Sequence, residues 1–487
     1  MRSARTRIFG DPPLAVAAVN SWFMIGHQLS RRANLEHLLQ PVGLPTFAAF
    51  GQLGRSKWGR KEPSALSSLR SHDLCPKCVC MMPRMRLAFG FLAIAITAHF
   101  SNAELSSQEP QSVTHVTVPM SVEGNAPIVT LGFKRPDGGL RIARFIFDSG
   151  GGAVILDQRL ATDLGLEPEG ETISSDGHEF RHIRPPMAFA GGMPVDLLTS
   201  NAFVHLGTAS FDNRDRVEGL LPGKALERYQ VVLDYPRQLF SIGEAGSLTH
   251  RGEKLACPYV ASSGHARVEL TIDGVTYGFL LDTGSKVTLA RADILQKWAQ
   301  EHPKWSKSTG AVGLANETGE LDADAFLLRI PELQVGERSV TNAVMVSRPD
   351  EIFSYTTYET PAPIIGALGG NVLSLFRVEI DYPEQLLFLD QEGRGESHDF
   401  DTVGLVLGTN SSGQLVVRAV SPSASKVTRQ NVLPGDVIVG IGGSRKVPQT
   451  LTEGAQALSG SVGEHKQMRI LRNGKSMTVT VIVNRIL

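Results

Sequence analysis

Short apolar runs recur along this chain, and two of them stop on the same polar signature. In RFIFDSGGGAVILDQRLA (Arg144–Ala161) the run Phe145-Ile146-Phe147 leads into Asp148-Ser149-Gly150, and Ala153 to Leu156 follow. In GFLLDTGSKVTLA (Gly278–Ala290) a second run ends in Asp282-Thr283-Gly284 and another apolar stretch resumes. Each reads as two core strands joined by a tight turn, because Asp, Ser, Thr and Gly all favour turns. Further along, VVLDYPRQLFSI (Val231–Ile242) and VEIDYPEQLLFL (Val378–Leu389) share Asp-Tyr-Pro-x-Gln-Leu between β-rich flanks. Upstream of each lies an apolar stretch with glycines, EGLLPGKAL before the first and IIGALGGNVL before the second.

One D-[ST]-G tripeptide arises by chance in roughly 10–20% of chains this long and decides nothing. Two copies, each followed by the same downstream elements in the same order, indicate a duplicated β-rich unit. Asp148 and Asp282 stand 134 residues apart, and Asp234 and Asp381 stand 147 apart, so the second copy is longer by 13 residues. TISSDGHEFRHI (Thr172–Ile183) reads as a hairpin over an Asp176-Gly177 turn, a first flap, GLANETGEL (Gly313–Leu321) reads as the second flap, and ADILQKWAQEH is the most helix-like stretch of the second copy.

A carboxylate at the end of an apolar strand is costly unless it is hydrogen-bonded, protonated or used. The order apolar strand, D-[ST]-G, strand, flap hairpin, apolar-apolar-Gly strand resembles the aspartic proteases, most closely the retropepsin-like bacterial type, across roughly residues 115 to 390. Both units lie in one chain here, as in pepsin. The resemblance implies a bilobal double-barrel fold, with lobes at 104–250 and 251–395, and a catalytic dyad of Asp148 and Asp282. Ser149 and Thr283 would brace that dyad through hydroxyl hydrogen bonds, and Gly150 and Gly284 would let backbone pass close beneath it. Gly151 stands where members of the family usually carry Ser, Thr or Ala. The implied chemistry is hydrolysis by an activated water, with one carboxyl as base and the other as acid, no covalent intermediate, no metal and no cofactor. The expected pH optimum lies below neutrality.

Composition agrees with mainly β structure in several domains: 487 residues, 49 glycines, 27 prolines and many short Val/Ile/Leu runs. The net charge of −1 conceals an asymmetry. Residues 1–86 carry 13 Lys/Arg against 4 Asp/Glu, leaving 35 against 45 in the remainder, a balance that argues against nucleic acid as a partner. MPRMRLAFGFLAIAITAHFSNAELSS (Met82–Ser107) reads as a secretory signal: a charged start at Arg84 and Arg86, an apolar stretch from Leu87 to Ala98, and Ser101-Asn102-Ala103 before the cut. The expectation is an exported, periplasmic or secreted protein with a signal peptide at 82–103 and an upstream artefact or leader at 1–81. An Arg-rich transit segment and a membrane anchor over 87–98 are the alternatives. Cys75, Cys78 and Cys80 precede the signal, and Cys257 has no partner in the remainder.

NVLPGDVIVGIGGSRK (Asn431–Lys446) resembles the PDZ signature, and the resemblance covers 401–487. It implies a small barrel in which Val403, Gly404, Leu405 and Val406 form the loop that grips a peptide's C-terminus, with the LTEGAQALSG helix lining the groove. A PDZ that only packs on the protease is the plainer version. MRILRNGKSMTVTVIV is a hairpin on an Asn-Gly turn, and Asp390–Thr402 reads as a polar linker.

HEFRH (His178–His182) matches the zinc-peptidase pattern H-E-x-x-H, which works only on a helix. Pro185-Pro186 leave no room for one, so a flap strand is the preferred reading. The function expected is an aspartic endopeptidase acting on protein or peptide substrates, with a PDZ module for recognition. A catalytically inactive peptide-binding protein on the same fold is the rival, and a zinc peptidase through His178, Glu179 and His182 is the second.

Overall fold

The computed structural model describes residues 113–175, 178–197, 200–206, 217–316, 325–391, 395–410, 412–442 and 447–487. The signal segment, its upstream leader, the three N-terminal cysteines and the Asp176-Gly177 turn lie outside the described residues. The chain is mainly β. No described helix is long and apolar enough to cross a membrane.

Each repeat builds its own sheet by the same device. The strand Leu140–Asp148 does not pair with Val154–Asp157, which follows the Asp-Ser-Gly turn. The apolar-Gly strand Val217–Pro222 inserts between them, parallel to the first (Leu221 opposite Phe147, Pro222 opposite Asp148) and antiparallel to the second (Gly219 opposite Leu156). In the second repeat Gly366–Leu368 lies in the same way between Val275–Leu281 and Thr288–Arg291. The inserted strands are sandwiched on both faces, which is why they read as continuous apolar runs and not as alternating ones. Their glycines are obligatory. A Cβ on Gly219 would lie 2.3 Å from the Phe145 ring and 2.5 Å from the Ile155 carbonyl, and one on Gly366 would lie 2.2 Å from the Leu289 carbonyl.

The Asp-Tyr-Pro elements join the repeats. Tyr229–Asp234 pairs antiparallel with Arg377–Asp381 at the centre of a six-stranded sheet to which both repeats contribute. Gln230 faces Asp381 and Asp234 faces Arg377, so the register is symmetric under exchange of the two repeats, and its axis passes between Val232 and Glu379. Glu379, fully buried there, is held by His250 Nδ1 at 2.5 Å and Arg377 Nη1 at 2.8 Å.

The C-terminal module is a five-stranded sheet with its own core around Val417, Ile438 and Ile470. Its hairpin turns on Asn473 and Gly474, both at positive φ, as an Asn-Gly turn requires. The helix Leu451–Leu458 starts on Thr450, whose side chain accepts from the Glu453 amide at 3.0 Å. The polar segment before the module does not hang free as a linker. Gly395 and Glu396 pair with Val340 and Thr341, Ser397 and Asp401 are buried, and Asp399 accepts from Asn125 Nδ2 at 3.0 Å. Polarity marked this stretch as a spacer, whereas Ser397, Asp399 and Asp401 are internal hydrogen-bond partners.

Candidate active site

Asp148 closes the strand Leu140–Asp148, and Asp282 follows the strand Val275–Leu281, so each carboxyl is delivered at the end of a buried strand. Two turns 134 residues apart in sequence meet face to face. The Ser149 amide donates to Thr283 Oγ1 at 2.9 Å, and the Thr283 amide donates to Ser149 Oγ at 3.0 Å. Each hydroxyl then donates across the interface to the carbonyl preceding the opposite aspartate: Ser149 to Leu281 at 2.7 Å, and Thr283 to Phe147 at 2.8 Å. Four buried hydrogen bonds thus lock the two turns with the two-fold symmetry of the central sheet. Ser149 and Thr283 brace the aspartates by fixing backbone, and not by bonding their carboxylates.

Gly150 and Gly284 are the cross-contacts. A Cβ on Gly150 would lie 2.9 Å from Asp282 Cγ, and one on Gly284 would lie 2.4 Å from Asp148 Cγ. Only glycine lets each turn lie flat against the opposite carboxyl. The two carboxyl groups are brought together by these contacts and are both buried, at 2% and 3% exposure. Burial pushes Asp148 up to about 6, against the lowering effect of Asp282 and of nearby amides. Burial, with the charge of Asp148 added, raises Asp282 well above the usual carboxylate range. Each carboxyl accepts from one amide: Gly150 N–H donates to Asp148 Oδ1 at 3.0 Å, and Ser285 N–H donates to Asp282 Oδ1 at 3.0 Å. The pair therefore carries one negative charge and one proton and titrates as a unit. Gly151 also leaves room: a Cβ there would meet Leu220 Cδ2 at 2.9 Å, and its counterpart Ser285 turns its hydroxyl to the Val287 carbonyl at 2.7 Å.

Two tyrosines lie near the pair. Tyr235 and Tyr382, from the repeated Asp-Tyr-Pro, are buried with hydroxyls that have no hydrogen-bond partner among the described residues. Burial raises both, and the charge of Asp282 adds to Tyr235 while those of Cys257 and Asp148 add to Tyr382. Each tyrosine therefore sits near one member of the dyad. The duplicated motif carried the signal for them, although only its symmetry was legible. Buried Cys257 has its thiol pushed up to about 12 by desolvation and is not a nucleophile.

HEFRH forms the strand His178–His182. Its histidines share a strand face about 13 Å apart, and not adjacent turns of a helix. Among the described residues no group of three or more His, Cys, Asp or Glu is placed to hold a metal ion. In the C-terminal module Val403, Gly404, Leu405 and Val406 are all buried, and the Val403 amide is taken by the Leu458 carbonyl at 3.1 Å.

No protein-family model matches this chain, and no curated protein matches it.

Proposed function

We propose that the chain is an aspartic endopeptidase of the bilobal, retropepsin-like kind, with a PDZ-like C-terminal module, exported by way of residues 82–103. One observation carries the reading: two buried carboxyls from duplicated D-[ST]-G turns, each lying against the opposite turn, are brought together inside a reciprocal brace. Carboxyls this close cannot both ionise, and they titrate as a pair. With the charge on Asp148, that carboxylate takes a proton from a water held between the two. Asp282, the protonated member, donates to the carbonyl oxygen of the scissile peptide bond. The water oxygen bonds to the carbonyl carbon and gives a gem-diol. Asp148 returns its proton to the amide nitrogen, a gem-diol hydroxyl gives its proton back to Asp282, and the C–N bond breaks to release acid and amine. Every proton stays within the dyad and the substrate.

Because burial raises both carboxyls, the bell-shaped pH–rate profile should sit higher than a solvent-exposed pair would place it, with its acid limb at about 6, so the optimum moves up from the acidic range expected from the resemblance. Cleavage of casein over a pH series, with a statine-type inhibitor and a chelator in parallel, tests the reading. Inhibition by the statine and indifference to the chelator are expected. Sensitivity to the chelator, reversed by zinc, would sink it. Edman sequencing of protein from expressing cells tests export, with a mature terminus near Glu104 expected.

A further inference from the structure

The groove of the C-terminal module is filled. One wall is the strand Leu405–Thr409, an edge of the five-stranded sheet, and the other is the helix Leu451–Leu458. Between them lies a piece of the second repeat, the single 3-10 turn Gly313–Ala315 with Val312 and Asn316 on either side. Leu314 and Ala315 are buried in one apolar cluster with Val406 from the strand and Ala455 from the helix. Asn316 Nδ2 donates to the Leu407 carbonyl, using the acceptor that an edge strand offers to an added chain. The same cluster contains Leu280, Val287 and Leu289, the residues on either side of the Asp282 turn. Lys286, four residues beyond Asp282, reaches Thr452 Oγ1 on the groove helix at 2.8 Å, and its carbonyl accepts from Asn125 Nδ2 at 3.2 Å.

We propose that this groove has a resident ligand, the chain's own Val312–Asn316 segment, and that the docked segment holds the second catalytic turn in its working position. A tethered ligand acts at an effective concentration of order millimolar, so a free peptide must compete with it and its apparent affinity falls by the fraction of time the groove stands empty. The competitor that fits is a peptide able to take up the same turn, with an apolar side chain in place of Leu314 and a side-chain amide two positions on. Its entry removes apolar support from Leu280 and Val287, and small displacements of a catalytic turn cost turnover steeply. The binding part stands on the groove alone. The effect on turnover rests on the function proposed above.

The test uses the full chain and a fluorescein-labelled Ala-Val-Gly-Leu-Ala-Asn peptide, read by anisotropy. Leu314→Asp should empty the groove and bind the peptide at least ~10-fold more tightly than the wild type. Adding Val406→Asp, in the groove wall, should abolish the gain. Leu314→Ala, a milder change, should show an intermediate gain and decides the matter if circular dichroism finds Leu314→Asp unfolded. Wild-type binding as tight as that of the Leu314 variants, or no binding by any of them, would overturn the proposal. In the same samples casein turnover should fall roughly tenfold in the folded Leu314 variants. Unchanged turnover would overturn the link to the catalytic turn. A chain with no turnover at all but with the expected binding pattern would overturn the peptidase reading and leave the resident ligand standing.

Discussion

Thr283→Val is the sharpest probe of the brace. Valine nearly matches threonine in shape, so the change removes one hydroxyl without opening a cavity. That hydroxyl donates to the Phe147 carbonyl at 2.8 Å and accepts from the Ser149 amide at 2.9 Å, and Thr283 is fully buried. The substitution leaves one carbonyl and one N–H dry and unpaired. Each such group costs about 1–3 kcal/mol, so the loss should total about 2–6 kcal/mol, with partial relaxation favouring the lower half. Urea unfolding followed by circular dichroism measures it as a lower midpoint at unchanged slope. Casein turnover should drop as well, because the two turns are no longer held in register. Thr283→Ser keeps the hydroxyl and should recover most of both losses. If Thr283→Val unfolded within 0.5 kcal/mol of the wild type and retained its activity, the reciprocal brace would not be what holds the turns together.

Gly284→Ala places a Cβ 2.4 Å from Asp148 Cγ, so it should cost about 1–3 kcal/mol of stability and cut turnover by about 100-fold, measured by urea unfolding and casein assay. The raised dyad also makes stability depend on pH. Asp148 stands near 6 in the folded chain against 3.8 for a free aspartate, so the native state binds its proton more tightly, and this group's contribution to stability is full below about pH 4 and is lost as pH rises through about 6. Asp148→Asn should remove much of that decline and stabilise the chain at pH 7 by something of order 2–3 kcal/mol, read from unfolding midpoints across pH. Arg472→Met strips the buried Asp436 of two 2.6 Å bonds and should destabilise the C-terminal module by about 2–4 kcal/mol, visible in thermal unfolding.

Much of the centre of this molecule was legible from spacing alone. The doubled Asp-[Ser/Thr]-Gly carried the duplication, the position of both carboxyls and the need for Gly150 and Gly284, because strand, turn and close approach are all local requirements. HEFRH read correctly as a strand because Pro185-Pro186 forbid the rival helix. What the sequence concealed was long-range. That Ser149 and Thr283 bond backbone across the interface, and not the carboxyls, depends on which turn faces which. The polar stretch before Thr402 looked like a spacer, since composition does not record that Asp399 meets Asn125 from the far end of the first repeat. Gly313 to Asn316 read as the start of a second flap, with residues 317–321 of that expectation outside the described residues. Their docking against Val406 and Ala455 comes from a tertiary contact that no local pattern announces.

The central claim is that Asp148 and Asp282 act as one group sharing one proton. The measurement that tests it most directly is the pH profile of casein hydrolysis for the wild type, Asp148→Asn, Asp282→Asn and the double variant, each verified as folded. The account predicts a bell for the wild type with its acid limb near pH 6, losses of about 10³-fold or more in either single variant, and a double variant no worse than the singles. Near-normal turnover in either Asn variant would contradict it, because asparagine can neither hold the charge that activates the water nor return the proton to the leaving amine.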